Sequence, residues 1–252
     1  MSEYIFQIWR GDSSGGEFVD YPTEVDDGMV VLDVLHRIQA HQAGDMAVRW
    51  NCKAGKCGSC GMEINGIPKL ACMTLMNNYS QQVVLTVQPL KTFPVIKDLV
   101  CDVSWNYEQN LRISPFRPRT ADSDGRYRMM QEDVDRVQEF RKCIECYLCQ
   151  DVCHVLRDQD RMDRFVGPRF MTRAAILALH PLDVEDRVPA IRDQLGSGFC
   201  NITRCCTDVC PENIGITDNA IIPLKERVAD RYYDPLAWLR RKFVGVVRRS
   251  VD

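Results

Sequence analysis

The sequence predicts an α+β protein in two parts, a sheet built around one helix followed by a helical half without strands. Three observations carry this reading. Apolar and polar side chains alternate through all but one of the segments before Leu90, apolar spacing is three and four throughout after Met130, and between them lies the Pro-, Ser-, Asp- and Gly-rich stretch RISPFRPRTADSDGRYRMM. The expected units are residues 1–105 and residues 106–252.

In chain order, YIFQIW and GEFVDYPTEV alternate as two half-buried strands do, joined by the Gly-Ser turn GDSSGG. MVVLDVLHRIQAH places its apolar residues on one face of an amphipathic helix. MEINGIPKLA reads as strand, Asn-Gly turn and strand, and VVLTVQPL as a further strand. From QEDVDRVQEFRKC onward the pattern is helical, and in GPRFMTRAAILALHP Pro168 suits the first turn of a helix and Pro181 its exit.

Bulk properties narrow the function. With 252 residues and 45% hydrophobic content the chain can bury a normal core, and a net charge of −3 does not suggest a nucleic-acid surface. The start, MSEYIFQIWRGDSSGGEFVD, has neither the charge pattern of a secretory signal nor that of a transit peptide. No uninterrupted apolar run reaches the roughly 18 residues a membrane span needs. The expectation is a soluble intracellular protein, in which thirteen cysteines serve as metal ligands rather than disulfides.

The cysteine spacing gives that expectation its chemistry. Cys52, Cys57 and Cys60 are spaced C-x4-C-x2-C, with Cys72 twelve positions on, which is the plant-type ferredoxin spacing for a 2Fe-2S cluster. Gly55, Gly58 and Gly61 lie between or beside these thiols, where a chain wrapping a cluster needs close backbone approach. The N-terminal unit is therefore expected to be a β-grasp, plant-type ferredoxin-like domain. A structural zinc site is the competing assignment, but zinc favours closely spaced CxxC pairs.

Further on, KCIECYLCQDVCH sets Cys143, Cys146, Cys149 and Cys153 at C-x2-C-x2-C-x3-C. In two-cluster ferredoxins the fourth cysteine of such a run crosses to the other cluster. Cys143, Cys146, Cys149 and Cys210 are thus expected around a 4Fe-4S cluster, and Cys153 with Cys200 and Cys206 around a second one. The run CNITRCCTDVCP has Thr203 where a complete motif would place its second thiol, so three ligands and a 3Fe-4S cluster are expected there. Eleven of the thirteen cysteines are then used. Cys101 reads as a small buried residue, and Cys205, beside Cys206, is the alternative fourth ligand that would make the third cluster 4Fe-4S.

With these groups in this order, together with FPVIKDLVCD, the FVGP segment Phe165 to Pro168 and CTDVCP, the sequence resembles the iron–sulfur subunit of succinate dehydrogenase and fumarate reductase over nearly its whole length. The resemblance implies an electron-transfer subunit of an enzyme whose substrate site is elsewhere. Its partners would be a flavoprotein bearing covalent FAD and a membrane anchor that handles quinone. It implies a peripheral place on the cytoplasmic face of a bacterial inner membrane. It leaves open the direction of turnover and a soluble, thiol-driven fumarate reductase as an alternative. The absence of a GxGxxG fingerprint, P-loop or nucleophile–base set agrees with a wire rather than a catalyst.

Two local features depart from the family. His154 follows Cys153 and Asn201 follows Cys200, where members with a ubiquinone pocket commonly carry other residues. His154 is a candidate for tuning the third cluster, against the plainer reading of a surface histidine. DPLAWLRRKFVGVVRRSVD, with Leu236, Trp238, Leu239, Phe243, Val244 and Val247 among Arg240, Arg241, Lys242, Arg248 and Arg249, reads as a basic amphipathic helix for an anchor subunit or anionic headgroups, or as an ordinary packed helix.

Overall fold

The computed structural model describes residues 2–235. The expected tail helix from Leu236 onward lies outside the described residues.

The first two strands, β1 (Ser2–Asp12) and β2 (Gly15–Val25), form a hairpin whose register runs from Ser2 opposite Val25 to Asp12 opposite Gly15. Period-two alternation is visible in burial: Tyr4, Phe6 and Ile8 are buried, while Ile5 between the first two is exposed. Helix α1 (Val31–His41) lays Val31, Leu32, Val34, Leu35 and Ile38 into the core. The segment read as strand, turn and strand forms β3 (Gly61–Ile64) and β4 (Ile67–Leu70). Asn65 and Gly66 between them have φ of 50° and 74°, as a two-residue hairpin turn of the primed type requires.

Strand β5 (Leu85–Gln88) runs parallel to β1. It is shorter than VVLTVQPL suggested, and Val83 and Val84 before it are exposed. FPVIKDLVCD folds into two strands that the pattern did not announce, β6 (Val95–Lys97) and β7 (Val100–Cys101). They turn at Asp98, whose buried carboxylate accepts from Gly11 N–H at 3.0 Å, Ala47 N–H at 2.8 Å and Arg10 Nε at 3.0 Å. The sheet order is β4-β3-β5-β1-β6-β7, with β2 also on β1, a mixed sheet closed over one helix as the β-grasp expectation requires.

Helix α2 (Ser104–Leu111) leads out of the sheet, with Asp102 Oδ1 accepting the Ser104 N–H at 2.8 Å. Residues 112–130 contain no helix, as their Pro and Gly content implies. Helix α3 (Gln131–Gln138) tightens into a 3-10 turn, Glu139–Lys142, before the second cysteine run. The rest is short helices: α4 (Leu148–Asp151), α5 (His154–Arg157), α6 (Pro168–Ala178), α7 (Val188–Asp193), α8 (Cys205–Asp208) and α9 (Ile222–Tyr232), the last entered through a π-helical turn at Ile216–Ile221. Beyond Val103 the described residues form no strand, only an isolated bridge between Pro118 and Asp183. Helix α6 is buried on nearly every side, which makes it the spine of this half.

A polar seam ties the halves together. Glu63 on β3 is fully buried and pairs with Arg157 Nη1 of α5 at 2.9 Å and Lys91 Nζ at 3.6 Å. Asp151 of α4 accepts the Thr92 N–H at 3.0 Å, and its backbone carbonyl accepts the Thr92 hydroxyl at 3.1 Å. Burial, with Glu63 adding to it, pushes the Asp151 carboxyl up to about 7.

Candidate metal centres

The first cysteine group lies on the loop between α1 and β3 and on the 3-10 turn Ala71–Met73 after β4. Left-handed residues at Lys53 (φ 56°), Gly55 (φ 66°) and Gly58 (φ 68°) curl this loop so that amides turn inward. Ala54 and Lys56 donate N–H to Cys52 Sγ at 3.4 and 3.3 Å, and Cys72 donates its N–H to Cys60 Sγ at 3.5 Å. Cys52 is exposed while Cys60 and Cys72 are buried, so the group opens towards one surface. Burial pushes the Cys57 thiol up, but hydrogen bonds from Ser59 and Cys52 outweigh it and bring it down to about 6; burial takes Cys60 to about 12.

Of the three glycines read as making room for a cluster, Gly58 does something more specific. A Cβ there would lie 2.5 Å from the Cys146 Cα. The glycine lets the first loop pack directly on the backbone of the second cysteine run. Gly61 lies in β3, and a Cβ there would meet Leu148 Cδ2 at 3.1 Å. Its smallness therefore serves the same seam.

The second group converges. Cys143, Cys146 and Cys149 line a single cavity together with Cys210, which is distant in sequence. Glu145 (φ 56°) and Tyr147 (φ 62°) adopt left-handed backbone between the thiols, and Ile214 donates its N–H to Cys210 Sγ at 3.4 Å. Such alternation aims successive N–H groups at an enclosed anion. Burial pushes every thiol of the run up: Cys146 to about 12, Cys149 well above its ordinary value, and Cys143 against the pull of the Arg169 guanidinium. Arg169 lines the same cavity, is 6% exposed, and has Nε and Nη1 without a hydrogen-bond acceptor. Four thiols and a buried cation short of acceptors fit an anionic iron–sulfur cluster, whose iron displaces the thiol protons. No group of three or more His, Cys, Asp or Glu among the described residues closes on a point as a single metal ion requires. A zinc ion, with bonds of about 2.3 Å to sulfur, fits this geometry less well than a polynuclear cluster.

The third group also shares one cavity. Cys153, Cys200 and Cys206 line it with His154, Asn201, Thr203 and Cys205. Thr203 Oγ1 and Cys205 Sγ are 3.4 Å apart, as are Cys206 Sγ and Thr217 Oγ1 of the π-helical turn. Burial pushes Cys153 to about 11 and Cys206 to about 12. Although adjacent in sequence, Cys205 and Cys206 both line this cavity, at the start of α8, which the left-handed Arg204 (φ 69°) opens. His154 Nε2 is 3.3 Å from Asn201 Oδ1, so the two residues that depart from the family pattern contact each other.

Cys101 belongs to none of these groups. Its Sγ lies 3.5 Å from the Leu90 carbonyl oxygen, and burial pushes it to about 11. It does line a cavity that Cys57 and Cys146 also line.

Sequence reasoning missed three contributors: Arg169, Thr217 and the Gly58 contact. Only the glycine left a trace in the sequence, since neither an arginine in a helical pattern nor a threonine after a cysteine run signals a cluster.

Comparison with known proteins agrees with this geometry. Residues 5–108 match the family described as a 2Fe-2S iron-sulfur cluster binding domain, and residues 139–214 the 4Fe-4S dicluster domain. The fumarate reductase iron-sulfur subunit of Mycobacterium tuberculosis is 34% identical over 80% of this chain and 82% of its own length. The chain belongs to the fumarate reductase and succinate dehydrogenase iron–sulfur subunits. The Wolinella succinogenes fumarate reductase iron-sulfur subunit is 32% identical over 91% of this chain and 90% of its own. A chain of the Mycobacterium smegmatis Sdh1 complex superposes with a TM-score of 0.90 at 60% identity, over 93% of this chain and 98% of that one. Iron–sulfur subunits of this family carry electrons within an oxidoreductase complex whose catalytic site lies on another subunit. Among the described residues, no helix is long and apolar enough to cross a membrane.

Proposed function

We propose that this chain conducts electrons between FAD on a flavoprotein subunit and quinone at a membrane anchor, as the iron–sulfur subunit of a succinate dehydrogenase. In this reading residues 1–105 form a plant-type ferredoxin-like domain and residues 106–252 a helical domain carrying two further centres. Cys52, Cys57, Cys60 and Cys72 hold a 2Fe-2S cluster. Cys143, Cys146, Cys149 and Cys210 hold a 4Fe-4S cluster, and Cys153, Cys200 and Cys206 a 3Fe-4S cluster. Each cluster, when bound, takes up and gives up one electron.

The observation that carries the reading is the serial arrangement of thiol groups. The first group abuts the second where Gly58 packs on Cys146, and the second adjoins the third through α4, which carries Cys149 and ends two residues before Cys153. The chain itself keeps the groups in register through the buried seam, buries Cys60, Cys72, Cys149, Cys153 and Cys206, and supplies inward amides. A peripheral place on the cytoplasmic membrane face completes the reading, with the anchor supplying the membrane span.

The test is electron paramagnetic resonance of the anaerobically purified complex at stepped potentials, with iron and acid-labile sulfide counted on the same sample. Three signals of the stated types are expected, and zinc without sulfide would sink the reading. The Mycobacterium tuberculosis and Wolinella succinogenes relatives bear the name fumarate reductase, which favours the reverse direction as a second reading. Succinate oxidation with a quinone acceptor, measured against fumarate reduction with a low-potential donor, separates the two. Recovery of the active complex without detergent would instead favour a soluble fumarate reductase.

A further inference from the structure

Arg169 is the second residue of α6, and its place is fixed from outside the cluster cavity. Its backbone N–H donates to Gln150 Oε1 at 3.2 Å, and Gln150 Nε2 donates in turn to the Val166 carbonyl at 3.0 Å. The close approach of Gln150 is possible because residue 167 is glycine, with left-handed backbone (φ 82°) and no room for a Cβ. The guanidinium is thereby held in the cavity lined by Cys143, Cys146, Cys149 and Cys210. Its Nη2 pairs with Glu145 Oε1, but Nε and Nη1 are inaccessible and have no acceptor.

A buried guanidinium with two idle donors is costly in an apolar setting, and proteins retain one where an anion meets it. Glu145 is itself half exposed and satisfies one nitrogen only. The thiols of Cys143, Cys146, Cys149 and Cys210 line the same cavity, and a cluster held by them would bring sulfur acceptors into it.

We propose that Arg169 donates Nε–H and Nη1–H to sulfur of the second centre and thereby raises its reduction potential. The inference rests on the assignment of Cys143, Cys146, Cys149 and Cys210 to a 4Fe-4S cluster. Reduction adds one negative charge to the cluster, and a fixed cation with aligned donors stabilises that form more than the oxidised one. Arg169 is in this sense a positioning residue for the electron, placed by Gln150 and Gly167.

The experiment is a redox titration of the second centre's signal in the whole complex, comparing the parent with Arg169→Met and Arg169→Lys. For Arg169→Met the reduced-to-oxidised ratio at fixed potential falls at least tenfold, which is 59 mV for a one-electron couple. Arg169→Lys, which keeps the charge but loses the fork, falls by less. The first centre's midpoint stays put in both. In the parent labelled with 15N-arginine, pulsed measurements show a nitrogen coupling on the second centre's signal that Arg169→Met abolishes. An unchanged midpoint in Arg169→Met overturns the proposal. If that variant fails to retain the cluster, Arg169→Lys decides: a lowered midpoint supports the proposal, and an unchanged midpoint overturns it, as does a parent without the nitrogen coupling. A parent lacking any 4Fe-4S signal would refute the ligand assignment instead, so the two failures are distinct.

Discussion

Replacing Arg157 with methionine removes the guanidinium that crosses from the helical half to Glu63 in the sheet. Glu63 is fully buried, with Arg157 Nη1 at 2.9 Å and the half-exposed Lys91 Nζ at 3.6 Å. Taking one partner from a buried ion pair costs roughly 3–5 kcal/mol when the remaining charge has no other support. Here Gln88 still donates to Glu63 Oε2 and Lys91 still neutralises it, while Arg157 is 21% exposed. About half the full cost, ~2 kcal/mol, is therefore expected. For a chain of this size that lowers the thermal midpoint by about 4–8 °C. The assay is thermal unfolding of the purified complex at one fixed scan rate, read from far-ultraviolet dichroism and from bleaching of the cluster absorbance. Adding Glu63→Gln to Arg157→Met removes the stranded charge and should recover at least half of the loss. A midpoint unchanged by Arg157→Met, or a double variant no more stable than the single one, would refute the reasoning.

Three further outcomes are expected. Gly58→Ala places a Cβ 2.5 Å from Cys146 Cα on left-handed backbone, so it should destabilise the seam by about 1–3 kcal/mol and weaken the magnetic interaction between the first two centres; parental stability and spectra would contradict this. Thr203→Cys should raise the iron content of the third centre from three to four, and Cys205→Ser should leave it at three; a loss of iron in Cys205→Ser would show instead that Cys205 is a ligand. His180 accepts the Leu182 N–H at Nδ1 (3.2 Å), and burial together with Arg141 holds its pKa below 6.5. The folded state then binds fewer protons than the unfolded one just below 6.5, so the stabilisation is present above that value and lost as pH falls through the folded pKa. His180→Asn should flatten this acid limb in melting scans between about pH 5 and pH 8, and parallel curves would contradict it.

Much of this was legible in the sequence, for physical reasons that differ by element. Alternation marked β1 and β2 because one face of that hairpin is wet, and the Asn65-Gly66 pair marked the β3–β4 turn because few residues tolerate positive φ in succession. Strands β6 and β7 were not legible. They are three and two residues long and are organised by Asp98, whose backbone donors come from residues far along the chain. Cysteine spacing announced the three thiol groups, since ligand geometry constrains sequence separation directly. The backbone that presents them was silent, because Tyr147, Ile202 and Arg204 occupy left-handed conformations that their side chains disfavour. Tertiary packing imposes those angles. The same holds for Arg169, which reads as one more residue of an amphipathic helix until Gln150 is seen to steer it.

The walls of the two thiol-lined cavities in the helical half are drawn from three chain segments, residues 143–155, residues 165–172 and residues 200–221. Neither cavity is complete on a growing polypeptide until the last segment has left the ribosome and folded back, so iron loading of this half must wait for nearly the whole chain. The N-terminal thiols, all within residues 52–72, face no such delay. Synthesis itself therefore imposes a timetable on maturation, with the first centre able to form while the other two are still waiting for their walls.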